Sequence, residues 1–403
     1  MPTSSTTPAT TPTARPPVLF IGRDLAGGGA ERVQLQLTQA LRDHFQVTVY
    51  YMTGEGPLAA LIPPGVEVVY GRIGKKFSPA QNLQSLRDLL RLSRSSALLF
   101  GMQDTTPVYL SSVLGKVMRR PTVGWIHNTW SRKKTEVPRV HGLLVRLLYP
   151  LVDRFVAVSG GAARSLAAEV PGVGDRIEVV FNPIDRALLL EQAQAPIPPE
   201  HEAMFAGTTF IGIGRLETVK GFDLLIEAFS RLPAGGHRLV IVGDGSQAAE
   251  LRALAQRLGV ADRVHFTGFV RNPYPYLNRA DVFVLSSHFE GLPTVLVEAL
   301  LLQKPAIATD CESGPREILD GGRHGWLVPT GSADGLHAAM QRYLEHPEEL
   351  QTRARMNAEG HDRFEPGLVA ARFSEVFRSV MGQGARPGMS GTSGDARAGS
   401  SVR

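Results

Sequence analysis

The sequence predicts two α/β domains in tandem, each a doubly wound parallel sheet, facing one another across a cleft. Three observations predict it. Short apolar runs alternate with longer helical patterns along most of the chain. The alternation stops at a proline-bearing segment, residues 184–207, and then starts again. The length, 403 residues, suits about two domains of ordinary size.

Residues 1–16 contain no Ile, Leu, Val or aromatic residue. They cannot bury enough apolar surface to offset the cost of ordering, so they read as a disordered tail, as do residues 382–403. The first domain is placed at 17–183. Its expected strands are Val18–Gly22, Val47–Met52, Ala97–Met102, Val123–His127, Phe155–Ser159 and Ile177–Phe181. Helical patterns intervene at Glu31–Asp43, Leu83–Arg94 and Pro107–Arg119. Buried strands separated by helices imply a parallel sheet covered on both faces. Residues 184–207 hold Pro196, Pro198 and Pro199 and read as the interdomain linker. In the second domain, 208–365, the expected strands are Phe210–Gly214, Leu239–Gly243, Val264–Thr267, Val282–Ser286, Ala306–Thr309 and Trp326–Val328. Its helices are Phe222–Arg231, Ala248–Leu258, Thr294–Leu302 and Ala333–Leu344. A last helix near Gly367–Met381, assigned to 366–381, is free to pack on either domain and to cross back to the first.

Composition removes several functions. With 43 Lys+Arg against 38 Asp+Glu, the formal net charge is +5. That excess admits an anionic ligand or membrane surface without requiring nucleic acid, and the sequence has neither zinc-finger spacing nor an aromatic RNA-binding box. The single cysteine, Cys311, excludes an intramolecular disulfide framework and a cysteine-based zinc cluster, which suits a reducing, cytoplasmic compartment. Nothing nearby in the sequence activates Cys311, so it reads as a packing residue. No apolar run approaches the roughly 18 residues that span a bilayer, and the Thr/Pro-rich N-terminus lacks the apolar core of a secretory signal.

Ligands of doubly wound sheets bind beyond the carboxyl ends of the strands, so the loops after strands carry the functional candidates. After the first strand comes Gly27-Gly28-Gly29-Ala30-Glu31-Arg32. Glycines there let backbone amides approach a phosphate or sugar at a helix N-terminus; a tight turn needing glycine for sterics explains them equally well. The run fits neither G-x-G-x-x-G nor G-x-x-x-x-G-K-[ST], which argues against a nicotinamide enzyme and a P-loop ATPase. In the second domain, Arg215 and Lys220 follow the first strand and precede a helix. Two cations there suit a diphosphate, and two solvated surface charges are the plainer alternative. The run Ser287-His288-Phe289-Glu290-Gly291-Leu292-Pro293-Thr294 leads into a helix that carries Glu298. Pro293 suits a first helical turn. Carboxylates spaced this far apart are poor metal partners but can hold hydroxyls on different parts of one ligand. An exposed loop acid and a helix-surface acid remain the alternative.

Taken in order, Arg215, Lys220 and Glu290-x7-Glu298 resemble the retaining glycosyltransferases of family four, which have the GT-B fold. The resemblance spans essentially the whole folded part. Gly27–Arg32 resembles the acceptor-side glycine loop of that family, and Asn182-Pro183-Ile184-Asp185 its motif at the end of the first domain. The run Asp310-Cys311-Glu312-Ser313-Gly314-Pro315-Arg316-Glu317 resembles a variant found in members that build bacterial polysaccharides and lipid-linked oligosaccharides.

The resemblance implies a nucleotide-sugar donor, with UDP expected on family grounds, and a glycan or lipid-linked acceptor. Arg215 and Lys220 would stabilise the departing diphosphate. Glu298 would hold the ribose hydroxyls and Glu290 the donor sugar. Gly28, Gly29, Gly214, Gly243 and the backbone from Gly291 through Leu292, Pro293 and Thr294 would line the donor site. Backbone near Val270 and Asn272 would hold the base. His127 matches the family histidine near the transferred sugar, although a lone histidine at a strand end is more simply a structural hydrogen-bonding residue. The family mechanism retains the anomeric configuration: the departing phosphate takes the acceptor proton, and neither a metal nor another cofactor is needed. The sequence accordingly has no Asp-x-Asp at a strand end. A nucleotide-sugar 2-epimerase and a non-catalytic nucleotide-sugar-binding subunit are the rival readings.

The acceptor side is marked by charge. Trp130-Ser131-Arg132-Lys133-Lys134 leads toward Arg139, Leu143, Leu144, Leu147 and Leu148, with Lys116, Arg119 and Arg120 upstream. Basic residues beside an apolar stretch suit peripheral contact with an anionic membrane, here the inner face of the cytoplasmic membrane. A buried helix beside a solvated basic loop is the alternative.

Overall fold

The computed structural model describes residues 15–26, 29–74, 78–131, 137–356 and 361–382. Gly28, Arg132, Lys133, Lys134 and most of both expected tails lie outside the described residues. The first domain runs β1 (Pro17–Gly22), α1 (Gly29–Leu41), β2 (Gln46–Tyr51), β3 (Glu67–Tyr70), α2 (Pro79–Ser95), β4 (Leu98–Gly101), α3 (Thr106–Met118), β5 (Thr122–Ile126), α4 (Val140–Leu148), β6 (Arg154–Ala157), α5 (Gly160–Glu169) and β7 (Ile177–Val179). Its strands are parallel, in the order β3-β2-β1-β4-β5-β6-β7. Val18 lies opposite both Val47 and Leu98 in the register.

After α6 (Arg186–Gln192) the second domain runs β8 (Thr209–Ile213), α7 (Phe222–Ser230), β9 (Arg238–Val242), α8 (Ala248–Arg257), β10 (Val264–Gly268), α9 (Tyr274–Arg279), β11 (Val282–Leu285), α10 (Thr294–Leu301), β12 (Ala306–Thr309), α11 (Pro315–Ile318), β13 (Trp326–Val328), α12 (Ala333–Glu345) and α13 (Pro347–Met356). Its strands are parallel, in the order β10-β9-β8-β11-β12-β13. The chain ends its described part in α14 (Pro366–Val380). Two tandem doubly wound domains are therefore present, as the alternation of apolar runs predicts.

One strand was not predicted. β3 pairs only with β2, at the edge of the first sheet, and none of its four residues is fully buried. Its apolar part, Val68–Tyr70, is only three residues long and follows Glu67, too short a run to stand out as a strand. The linker segment, for its part, is folded. It carries α6 and buries Ile184, Leu189, Ala193 and Ile197 against both domains' surroundings.

The chain crosses between domains twice, and the crossings lie side by side. The Ile184 amide donates to the Phe364 carbonyl at 2.8 Å. The Phe181 and Phe364 rings meet at 5.3 Å, and the Arg363 guanidinium lies against both. Beyond this point α14 returns to the first domain. Glu365 caps it by accepting from the Leu368 amide, and Pro366 suits its first turn. Its buried stripe includes Val369, Phe373, Val376 and Phe377, the spacing of one helix face. Phe377 packs 5.1 Å from Phe100 and 5.5 Å from Phe45, and Phe373 packs 5.3 Å from Trp125. The last helix thus completes the core of the first domain.

Phe377 is fully buried, so Phe377→Ala leaves a cavity between α14 and the first sheet. It is expected to lower the stability of the first domain by about 3–5 kcal/mol, measured by urea unfolding with Trp125, in the same aromatic cluster, as a fluorescent reporter.

Candidate active site

The strand orders reverse between β1 and β4 in the first domain and between β8 and β11 in the second. At such a switch point the loops diverge and leave a crevice at the carboxyl ends of the strands. The two crevices face one another. They form a cleft of about 600 Å³ lined by Arg23, Asp24, Gly29, Asp104, His127 and Asn128 from the first domain and by Arg215, Lys220, Glu290 and Gly291 from the second. Six residues singled out in the sequence therefore meet here: Gly29, His127, Arg215, Lys220, Glu290 and Gly291.

The second-domain wall is stitched together by short hydrogen bonds. Lys220 Nζ donates to Glu290 Oε1 at 2.7 Å, and Ser287 Oγ donates to the same oxygen at 2.6 Å. The Glu290 side chain is only 9% exposed, so the ammonium offsets the cost of its burial. The Ser286 hydroxyl donates to the Lys220 carbonyl at 2.9 Å, and the His288 amide to the Val219 carbonyl at 2.9 Å. Gly221 makes this approach possible: its φ is +60°, and a Cβ there would stand 2.3 Å from the Ser286 carbonyl oxygen.

The first-domain wall is organised by His127 and Asp104. His127 Nε2 lies 2.9 Å from the Met102 carbonyl oxygen, and its ring packs 4.3 Å from Trp125. A carbonyl only accepts, so Nε2 carries a proton and the ring orientation is fixed. The structural hydrogen bond expected of a strand-end histidine is thus made, and the side chain still borders the cleft. The Asp104 carboxylate accepts from the His127 amide at 3.3 Å and from Asn128 Nδ2 at 2.8 Å. The next residue, Thr105, has φ 71°, an unfavourable conformation for a β-branched side chain that costs on the order of 1–3 kcal/mol. Its amide donates to the fully buried Tyr149 hydroxyl at 3.1 Å, which holds it there. The sequence reading missed Asp104 and Asn128. The rule that placed ligands beyond the strand ends, applied to Ala97–Met102, would have found Asp104.

A second cleft, about 560 Å³, opens from the first; Gly29 lines both. It is lined by Arg32 and Gln36 of α1, Leu188 of α6, Tyr274 of α9, and Thr294 and Glu298 of α10. Tyr274 Oη donates to Glu298 Oε1 at 3.4 Å. Burial pushes the Glu298 carboxyl up to about 7, against the opposing effects of the Tyr274 hydroxyl and the Arg32 charge. Burial likewise raises the Tyr274 phenol, helped by the Glu298 charge.

The remaining expected site residues lie beneath or beside the clefts. Leu292 and Pro293 are buried at the entry to α10. The Gly214 amide donates to the Val242 carbonyl and the Gly243 amide to the Gly268 carbonyl, both at 3.0 Å, joining the loops after β8, β9 and β10. Val270 packs against the core. Asn272 uses its side chain to donate to the Gln192 carbonyl at 2.9 Å and to accept from the Tyr274 amide at 3.2 Å. None of these six lines either cleft. Among the described residues no group of three or more His, Cys, Asp or Glu is placed to hold a metal ion. Burial, followed by the Glu290 charge, pushes the Cys311 thiol up to about 12, which disarms it as a nucleophile.

The two walls are held together by the run that ends in Ser313-Gly314-Pro315-Arg316-Glu317. The Glu317 carboxylate accepts from the Gly160 and Gly161 amides, at 2.6 and 2.8 Å, at the start of α5 in the other domain. Ser159 and Ser313 share a hydrogen bond at 2.5 Å, and Ser313 Oγ donates to the Gly291 carbonyl at 2.7 Å. Ser131 Oγ donates to Glu312. At Gly291 the domains touch directly: a Cβ there would stand 1.7 Å from the His127 carbonyl oxygen.

Residues 27–188 match the family described as Glycosyltransferase Family 4, and residues 203–362 match Glycosyl transferases group 1. Between them these matches take in both sheets, and the chain belongs to this family of two-domain glycosyltransferases. It is 31% identical over 206 residues to a Campylobacter jejuni N-acetylgalactosamine-N,N'-diacetylbacillosaminyl-diphospho-undecaprenol 4-alpha-N-acetylgalactosaminyltransferase, covering 51% of this chain and 54% of that protein. A second transferase of the same organism, a GalNAc-alpha-(1->4)-GalNAc-alpha-(1->3)-diNAcBac-PP-undecaprenol alpha-1,4-N-acetyl-D-galactosaminyltransferase, is 25% identical over 323 residues, covering 77% of this chain and 84% of that one. The chain spans about half the length of the first curated relatives it matches. In fold it is similar to Anabaena HepE, solved in complex with UDP and glucose, with a TM-score of 0.78 at 20% identity over 90% of this chain and 100% of that one. That likeness makes the two-domain architecture GT-B.

Glu317→Gln keeps the size of the side chain but removes the charge that faces the two α5 amides. The variant is expected to lose about 1–2 kcal/mol of unfolding free energy, and limited proteolysis should show faster cutting in the crossing segments as the domains part.

Proposed function

We propose that the protein transfers a sugar from a nucleoside diphosphate donor, a UDP-sugar first, to a hydroxyl of a lipid-linked or polysaccharide glycan. The reading adds that the anomeric configuration is retained and that no metal or organic cofactor takes part. The observation that carries it is the meeting of Arg215, Lys220 and Glu290 with His127 and Asp104 in one cleft, continuous through Gly29 with the cleft that holds Glu298. The family membership supports it. So do the names of the Campylobacter relatives, which act on undecaprenol-linked glycans.

In this reading the donor lies along both clefts, its nucleoside beside Glu298 and its diphosphate and sugar beside Lys220, Arg215 and Glu290. The Lys220 ammonium has three N–H groups, and Glu290 takes one. The others face charge that develops on the diphosphate as the anomeric C–O bond breaks. The acceptor hydroxyl attacks the same face of the oxocarbenium-like centre. Its proton passes to the departing phosphate oxygen, so no protein base is required. Asp104, on the opposite wall, has the chemistry to accept a hydrogen bond from an acceptor hydroxyl. Both walls are needed, so closure of the domains over the donor belongs to the cycle.

The test is a panel of UDP-, GDP- and ADP-sugars incubated with the protein in EDTA, with and without a lipid extract, reading nucleotide release. Release from one donor that rises with lipid is the expected result. Release without any acceptor, accompanied by an altered free sugar, would instead support the epimerase reading. In the same assay Lys220→Ala is expected to cut turnover roughly 10²–10³-fold, while Glu290→Gln weakens sugar engagement more than UDP binding.

A specific feature supports peripheral membrane contact as the setting. On α4, Val140, Leu143 and Leu147 share one helix face and are more than half exposed. On the neighbouring α3, Val113 and Val117 are also exposed, with Lys116, Arg119 and Arg120 close by in the chain. Apolar side chains flanked by cations suit an anionic bilayer surface. Among the described residues no helix is long and apolar enough to cross a membrane. Flotation with phosphatidylglycerol-containing vesicles should carry the protein up the gradient, and Leu143→Asp with Leu147→Asp should leave it at the bottom.

A further inference from the structure

One residue of the glycine-loop helix has no role in the site as described so far. Arg32 stands on α1, in the first domain, yet its side chain points into the second cleft. Its Nη2 reaches the Arg271 carbonyl at 3.5 Å, across a sequence separation of 239 residues. Its charge acts on both Glu298 and Tyr274. The helix therefore divides its first turn between the two clefts. Glu31 faces the central one, where Gln103 donates to it at 3.2 Å, and Arg32 faces the other.

We propose that Arg32 is a positioning residue for the donor nucleoside, contributed by the acceptor-side domain, which holds the Glu298 carboxylate ready for the ribose hydroxyls. The proposal rests on the donor reading above and adds a residue from the opposite domain to it.

The physical reason is the carboxylate's surroundings. Glu298 sits where burial disfavours its charge. A carboxylate accepts two hydroxyl hydrogen bonds in a way its protonated form cannot, so the site works best with Glu298 ionised. The groups around it are few. Tyr274 on α9 donates to it. Asp185, at the start of α6, lines the same cleft, and its side chain caps that helix by accepting from the Leu188 amide. On α11, packed beside α10, Arg316 pairs with Asp310 and Glu317 is engaged by α5. Arg271 offers its carbonyl, to Arg32. Of the cations near Glu298, Arg32 is the one whose charge favours its ionised form. Because Arg32 comes from the other domain, that support is present when the domains are closed and fades when they part.

The experiment measures the affinity of the full chain for UDP and for uridine between pH 6 and 9, in the wild type and in Arg32→Ala, Arg32→Lys and Glu298→Gln. Wild-type affinity should rise with pH through about 7, as Glu298 gives up its proton, and then level off. Arg32→Ala should move that midpoint upward, and a rise of about one unit weakens both ligands about fivefold at pH 7, where the ionised fraction of Glu298 falls from about a half to about a tenth. Arg32→Lys, which keeps the charge, should restore the midpoint. Glu298→Gln should remove the part of the pH step that UDP and uridine share. If Arg32→Ala weakens UDP alone, or leaves the midpoint where it was, the proposal is wrong. If the wild type binds neither ligand, the donor reading for UDP fails and takes this proposal with it.

Discussion

Everything in the site depends on two separately folded sheets being held at one spacing, and the contact that sets it is a carboxylate on a helix end. The first-turn amides of α5 have no partners within their own helix. Ser159 supplies one for Ala162, and Glu317, from the other domain, supplies both for Gly160 and Gly161. A carboxylate at a helix N-terminus gains from the aligned peptide dipoles as well as from its hydrogen bonds. The bond network continues from Ser159 through Ser313 to the carbonyl of Gly291, next to Glu290. Interdomain geometry and active-site geometry are thus one hydrogen-bonded unit. A polar interface of this kind suits the domain closure of the proposed cycle. Each of its polar groups finds water when the domains separate, so a hydrogen bond here is worth only about 0.5–1.5 kcal/mol net. An apolar seam of the same extent would resist opening far more.

If the domains open and close as the proposed cycle requires, the paired crossings keep them in register. Two strands of chain side by side, joined at Ile184 and Phe364 and filled by Phe181 and Arg363, constrain the direction of motion more than a single linker does. α14 lies on the first-domain side of that hinge and is buried through Phe373 and Phe377. The first domain therefore includes both an early and a late part of the chain, and its core cannot be complete until α14 is in place.

Much of this was legible in the sequence because its cause is local. Strands buried on both faces must be apolar runs, so the central strands could be read directly; at the edges of the first sheet both strands are half exposed, and β7 was found through the run Ile177–Phe181 while β3 was not. The strand-end rule picked out Arg215, Lys220, Glu290 and His127, which the structure brings together around one cleft. Leu292, Pro293, Gly214 and Gly243 carry the loops of the site, yet stand behind the lining. Such a distinction turns on tenths of a nanometre and leaves no trace in residue type. Asp104 lay within reach of the same rule and was passed over, whereas the roles of Tyr274 and Arg32 come from partners far away in sequence. Glu317 is the clearest case. Its motif was recognised, but what the motif does required the amides of Gly160 and Gly161 to be seen beside it.

The charges of the central cleft divide by domain. Asp24, Glu31 and Asp104 come from the first wall, with Arg23 the cation among them; Arg215 and Lys220 come from the second, with Glu290 the acid among them. In the proposed reaction this division has a use. A departing diphosphate accumulates negative charge, which the second wall is built to meet. An acceptor hydroxyl is neutral and must be oriented through its hydrogen, which a carboxylate does and an ammonium does not. In this reading, placing most of the acids on one domain and most of the cations on the other lets closure assemble the two functions at the moment both substrates are present. It also makes the open state self-consistent, because Lys220 and Glu290 neutralise one another within the second wall and need nothing from the first. In that reaction, the pairing of a buried acid with Lys220 would serve as the resting arrangement of a site whose remaining parts arrive with the other domain.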